Sequence, residues 1–223
     1  YPGGFTLRQA GVEVRGRTTV LKVNYRNTRE VIDAAMAATG SGHVDDLGDS
    51  YDRGDERADS TRDGAKPRLA MCDSFAAEMA FIAQQVTAIA EDDSVSYGDM
   101  AVAVTTNQRV KDVQRALEAA GIPCLSLDKY DGIPTAAVKV GTHHRIKGLE
   151  FKVVFLPAIS KAEFPRAQSA GQADDEYAEQ CDRSISQLFV AMTRARDLLY
   201  ISSTGEPADL IANVADRFEL VAS

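Results

Sequence analysis

Cysteine and histidine are both scarce in this chain of 223 residues, with three of each. Cys72, Cys124 and Cys181 are odd in number and far apart, which excludes a disulfide framework and the paired-cysteine zinc sites. Of the histidines, His143 and His144 are adjacent. Neighbours on a strand point to opposite faces, so no histidine-based metal cluster is expected and no metal site is predicted from protein ligands. No apolar run approaches the roughly 20 residues that a membrane span needs. The opening Tyr1-Pro2-Gly3-Gly4 carries neither a basic leader nor an apolar signal core. The expectation is a cytoplasmic protein with no membrane partner. An initiator methionine is also absent, which is read here as the mark of a piece cut from a longer chain. What is present, 44% hydrophobic residues, suffices for the core of one large domain spanning residues 1–223.

The formal net charge of −8 is unevenly spread. Residues 45–63 carry eight acids against three arginines, and residues 174–182 carry five acids and no base, so these two segments hold −10 and the remainder sums to +2. Acidic runs are ordinarily solvated faces. From Arg8 to Arg29, six bases face Glu13 alone, and a basic stretch on an acidic chain points to phosphate contact.

Apolar and polar segments alternate with the periods of strands and helices. Thr19–Val23 reads as a strand, and Thr28 as the N-cap of a helix from Arg29 to about Ala38, stopped by Gly40 and Gly42. Residues 41–65, rich in Asp, Arg, Gly and Ser, offer almost nothing to bury and are expected to form a disordered loop. A strand at 67–72 follows, then a helix capped by Ser74, with Phe75, Met79, Ile82, Val86 and Ile89 on one face. Next come a strand at 101–104, a helix marked by Val110, Val113 and Leu117, and a strand at 124–127. Two apolar strands, 138–141 and 153–156, flank a polar turn. Residues 159–181 are expected to be a long surface loop, followed by a helix from about Arg183, a strand at 198–202 and a last short helix opened by Pro207. Such alternation predicts an α/β fold with a mostly parallel sheet and helices on both faces. The polar turn would lie at the carboxyl edge of the strands, where such sheets bind ligands.

Three motifs carry the chemistry. The central one is Thr142-His143-His144-Arg145-Ile146-Lys147-Gly148-Leu149-Glu150-Phe151, running into an apolar strand. It resembles the T-x-H-x-x-K-G-L-E-F motif of UvrD/Rep-type superfamily 1 DNA helicases. Leu21-Lys-Val-Asn24-Tyr25-Arg26 is similar to the family's L-x-x-N-Y-R-S, departing with Asn27 where serine is usual. Gln187-Leu-Phe-Val-Ala-Met-Thr-Arg-Ala-Arg196 resembles Y-V-A-M-T-R-A-R, although Arg183-Ser-Ile-Ser186 replaces the family's preceding E-E-R-R stretch.

The resemblance implies a RecA-like three-layer domain, the second motor domain (2A) of an ATP-dependent helicase or translocase. Arg26 and Arg194 would be arginine fingers that neutralise charge on the transferred phosphoryl group. On helical spacing, Arg194 would project away from the apolar stripe of Ile185, Leu188, Phe189 and Met192. Tyr25 would stack on the adenine, Glu150 would meet the ribose, and Lys147 and Gly148 would lie near the phosphates. Thr142 and His144 would hold the backbone of single-stranded DNA without reading bases.

The sequence has no G-x-x-x-x-G-K-[ST] loop and no apolar strand ending in Asp-Glu. The phosphate loop and the Mg²⁺ ligands are therefore expected in an N-terminal RecA-like domain upstream, Tyr1–Phe5 resembling the tail of that domain's Q-x-I-Y motif. The isolated chain is expected to be inactive as an ATPase. Only about a dozen residues, 128–138, stand where the family's 2B subdomain is inserted. Two other readings fit the same alternation: a stand-alone nucleic-acid-binding or regulatory module, and an unrelated α/β metabolic enzyme.

Overall fold

The computed structural model describes residues 23–24, 26–40, 59–60, 62–91 and 94–223. Tyr25, most of the basic stretch from Arg8, and all but residues 59–60 and 62–65 of the 41–65 loop lie outside the described residues.

The main sheet is seven-stranded and wholly parallel, in the order β5-β6-β4-β7-β8-β3-β9. Its strands are β3 (Arg68–Cys72), β4 (Met100–Val104), β5 (Cys124–Ser126), β6 (Val138–Thr142), β7 (Phe151–Leu156), β8 (Ala195–Thr204) and β9 (Glu219–Val221). A separate two-stranded parallel ladder joins β1 (Val23–Asn24) to β2 (Asp59–Ser60). Two residues of the supposed loop are thus strand, because β1 lies outside the main sheet and pairs with them.

Helices cover both faces, which makes the domain a RecA-like three-layer α/β fold. On one face α1 (Arg29–Thr39), α4 (Asp174–Met192) and α5 (Asp209–Ala212) contribute Val31, Ala34, Leu188, Met192 and Ile211 to a core with Leu69, Val154, Leu156 and Ile201 from the sheet. On the other face α2 (Phe75–Ala90) and α3 (Asn107–Ala119) bring Met79, Ile82, Val86, Val113 and Leu117 against Val102, Val140 and Phe155. Both helix starts follow from their caps: the Ser74 hydroxyl accepts from Ala77 N at 3.1 Å, and the Thr106 hydroxyl from Arg109 N at 3.2 Å. Thr28 precedes α1 as expected, but its side chain makes no cap hydrogen bond.

The surface-loop expectation for residues 159–181 fails at its end, since α4 already begins at Asp174. Asp174, Asp175 and Glu176 occupy the first turn, where carboxylates are favoured by the positive end of the helix dipole. An acidic run that reads as loop by composition is here the start of a helix.

The β5–β6 connection is short and held down. Buried Lys139 donates from Nζ to the carbonyls of Gly98, at 3.1 Å, and Thr135, at 2.9 Å, and its head lies 5.4 Å from the Tyr130 ring centroid. Burial lowers the Lys139 ammonium below its ordinary range, a shift opposed by Asp99.

Candidate functional site

Strand register fixes where the three motifs meet. Val104 pairs with Thr142 at the carboxyl ends of β4 and β6, whereas Phe151 pairs with Ala195 at the amino ends of β7 and β8. The turn from His143 to Gly148 therefore begins at one edge of the sheet, and the chain reaches the opposite edge at Phe151. That is the depth of the sheet, roughly 20 Å at about 3.3 Å per residue. The expectation of one polar group at the carboxyl edge holds for Thr142 and His144. It is corrected for Glu150, which lies with Arg26 and Arg194 at the amino edge, because the segment joining β6 to β7 is a crossover and both strands run the same way.

At the carboxyl edge Thr142 is partly exposed and His144 exposed, while His143 is 3% exposed. The His143 amide donates to the Val104 carbonyl at 2.8 Å, and the Arg145 and Ile146 amides both return to Thr142 O, at 2.9 and 3.1 Å. One helical turn results, and it points the two imidazoles in opposite directions. His143 tilts against Phe164, with ring centroids 6.4 Å apart, and is hydrogen-bonded to the Ala103 backbone, while Nε2 has no partner. Burial pushes this imidazole down to about 4. Arg145 pairs with Asp128 at 2.9 Å. Ile146 is wholly buried, whereas Lys147 and Gly148 stand exposed, Gly148 at φ +82°, where a side chain would be strained.

The amino edge brings together parts of all three motifs. Arg26 Nε lies 2.7 Å from Glu150 Oε1, with the two side chains 33% and 39% exposed. Beside this pair, the Phe151 amide donates to the Arg194 carbonyl at 3.0 Å. Asn27, fully buried, donates from Nδ2 to the carbonyls of Thr193, at 2.7 Å, and Ala195, at 2.6 Å. The Thr28 amide adds a bond to Arg196 O at 3.2 Å. Arg62 supports the same corner, donating to the Arg26 carbonyl at 2.9 Å and pairing with Asp197.

Arg194 is not where helical spacing places it. α4 stops at Met192 with Thr193 as its C-cap, so residue 194 lies past the last turn and the 100° rule no longer applies to it. The side chain is 5% exposed and folds back over the helix end, donating from Nε to Val190 O at 3.1 Å. A guanidinium there is favoured by the negative end of the helix dipole.

Asn27 and Glu78 are among the buried polar residues that the motifs and periodicities did not announce. Asn27 was visible only as a departure from the family pattern. Glu78, buried in the first turn of α2, accepts from Ala158 N (2.8 Å), Ser202 Oγ (2.7 Å) and Thr204 Oγ1 (3.0 Å). Nothing in its local sequence distinguishes it from a solvated glutamate. Among the described residues, no three His, Cys, Asp or Glu side chains gather as metal ligands, and no helix is long and apolar enough to cross a membrane.

Comparison with known proteins bears on the fold and the family. A crystal structure of the C-terminal domain of a possible DNA helicase from Lactobacillus plantarum superposes with a TM-score of 0.64. It covers 88% of this chain and 98% of that one at 18% identity, a likeness of fold. ATP-dependent DNA helicase PcrA of Staphylococcus epidermidis is 39% identical over 66 residues, which are 30% of this chain and 9% of the relative. The Staphylococcus aureus PcrA is 37% identical over 65 residues, 29% of this chain and 8% of that one. The aligned part is thus under a tenth of these relatives. The UvrD-like helicase C-terminal domain model matches residues 19–131 and 131–206, the two pieces meeting in the β5–β6 connection, and the chain belongs to that family.

Proposed function

We propose that this chain is the second motor half of an ATP-dependent DNA helicase or translocase. The observation that supports it most is the convergence of Arg26, Glu150 and Arg194, from three separated motifs, at one edge of the sheet. Phosphoryl transfer is catalysed mainly by positioning and charge neutralisation, so cations brought by a second domain can switch it on. Arg26 and Arg194 supply those cations when the cleft between the two motor domains closes.

The residues present fit a nucleoside triphosphate. Arg26 and Glu150 are exposed enough to exchange one another for a phosphate and a ribose hydroxyl, and Lys147 and Gly148 lie on the exposed turn leading to them. Tyr25 would stack on the base. Arg194 is buried in this conformation, so closure must bring its guanidinium to the surface. Bound ATP supplies the scissile phosphoanhydride. Mg²⁺ and the phosphate loop belong, in this reading, to the N-terminal RecA-like domain. At the other edge, exposed His144 and partly exposed Thr142 offer donors to the phosphates of single-stranded DNA, a contact that positions a strand without reading it.

The test is ATP turnover. The isolated chain should show no DNA-stimulated hydrolysis, and Arg194→Ala in the full-length protein should lower kcat by on the order of 10³, the scale of an arginine finger. Arg194→Lys should recover little, because an ammonium lacks the planar fork. Wild-type turnover by Arg194→Ala would remove the finger assignment.

A further inference from the structure

We infer that Asn27 is a positioning residue for the Arg194 finger, and this rests on the reading of Arg194 given above. Arg194 sits where a helix has ended and a strand has begun, and on the helix side its amide still donates to Ala191 O at 3.2 Å. Three further hydrogen bonds hold the carbonyls of this junction. Its own carbonyl accepts from the Phe151 amide, and the carbonyls on either side, those of Thr193 and Ala195, both accept from Asn27 Nδ2.

The chemistry selects this side chain. Two converging carbonyls need two hydrogens from one point, and a primary amide nitrogen carries two. A serine at the same position has a single hydroxyl hydrogen and can satisfy one of them. Burial strengthens the constraint, since Asn27 and Thr193 are both removed from water and a carbonyl left unpaired there is costly.

The arrangement also joins the two arginines. Asn27 follows Arg26 in the chain, Arg26 pairs with Glu150, Glu150 precedes Phe151, and Phe151 bonds Arg194. The circuit closes through Asn27 onto both neighbours of Arg194. The backbone segments that carry the two cations are therefore tied together, with Asn27 fixing the one from which Arg194 projects.

A double-mutant cycle in the full-length protein tests this. Asn27→Leu keeps the branching at Cγ and the number of heavy atoms, and removes both donors. Its kcat for DNA-stimulated ATP hydrolysis should fall about 10- to 100-fold, the scale of a misplaced catalytic group, with KM for ATP changed less than about threefold. In an Arg194→Ala background the same substitution should change kcat less than about twofold, because the group it positions is gone. Asn27→Ser, which keeps one bond, should show a smaller coupled loss, and it carries the cycle if the leucine variant does not fold. Equal losses in both backgrounds, or full turnover by Asn27→Leu and Asn27→Ser beside an impaired Arg194→Ala, would overturn the role of Asn27 while leaving the finger intact. Unimpaired Arg194→Ala would overturn both.

Discussion

Arg26 and Glu150 are 124 positions apart in the sequence and 2.7 Å apart in the structure, yet about a third of each side chain remains in solvent. An ion pair so exposed contributes roughly 0–1 kcal/mol. It is too weak to be explained by stability and well suited to exchanging partners. Arg26→Ala and Glu150→Ala should therefore move the melting midpoint of this domain by less than about 4 °C, on the scale of 2–4 °C per kcal/mol for a chain of this size. In the full-length protein Arg26→Ala should nonetheless lower kcat on the order of 10³. A midpoint loss above 8 °C with unchanged turnover would make the pair a structural one.

Arg194 should behave differently. Its guanidinium is buried and bonded to the end of α4, so Arg194→Ala should lower the melting midpoint as well as kcat. Facing away from the apolar stripe would have left folding untouched. Burial makes a loss of about 1–3 kcal/mol the expected result, measured by urea denaturation. An unchanged denaturation midpoint would show that the contact with Val190 contributes nothing.

His143 should make stability depend on pH. Its folded pKa is depressed to about 4 by burial, against about 6.5 in the unfolded chain. The contribution is complete above pH 6.5 and is lost as pH falls towards 4, because only the unfolded chain takes up the proton in that window. The loss is on the order of 3 kcal/mol at 1.36 kcal/mol per pKa unit. Urea midpoints measured from pH 7 down to 4.5 should fall in the wild type and stay flatter in His143→Leu. Parallel curves for the two proteins would rule His143 out.

Glu78 predicts a purely structural defect. Glu78→Ala leaves three donors without their acceptor, at about 1–3 kcal/mol for each buried group left unpaired. The urea midpoint should drop sharply, and Glu78→Gln should lose less, since the Thr204 hydroxyl can rotate to accept from the new amide. An alanine variant as stable as the wild type would show that Ala158, Ser202 and Thr204 find other partners.

Single-stranded DNA binding by this chain should be weak, indifferent to sequence and steeply salt-dependent. Thr142→Ala and His144→Ala should each weaken it by a similar factor on every sequence tested, because donors to phosphate position a strand without specifying it. Fluorescence anisotropy with two unrelated oligonucleotides at two salt concentrations is sufficient. A sequence-dependent effect of either substitution would point to base contacts.

Periodicity and caps made most of the sheet and its helices legible. Val110, Val113 and Leu117 repeat at helical steps and are all buried, and Ser74 caps as its position foretold. The motifs also named residues that do assemble, Arg26 with Glu150 above all. What composition misjudged was the start of α4, where acids stabilise a helix end as readily as they solvate a loop. What spacing misjudged was Arg194, because angular arithmetic holds only while the helix lasts. Asn27 and Glu78 were illegible for a third reason: their partners are carbonyls, amides and hydroxyls brought near by tertiary structure, which no local pattern encodes.

The crossover from His143 to Glu150 has a consequence for the spelling of the motif itself. Ile146 is wholly buried and its amide returns to Thr142, while the Leu149 amide returns to Ile146. Adding or removing one residue between His144 and Glu150 would rotate Ile146 out of the core or displace Phe151 from its partner in β8. The interval is thus a ruler cut to the thickness of the sheet. It allows substitution at exposed positions such as Arg145 and tolerates no change of length.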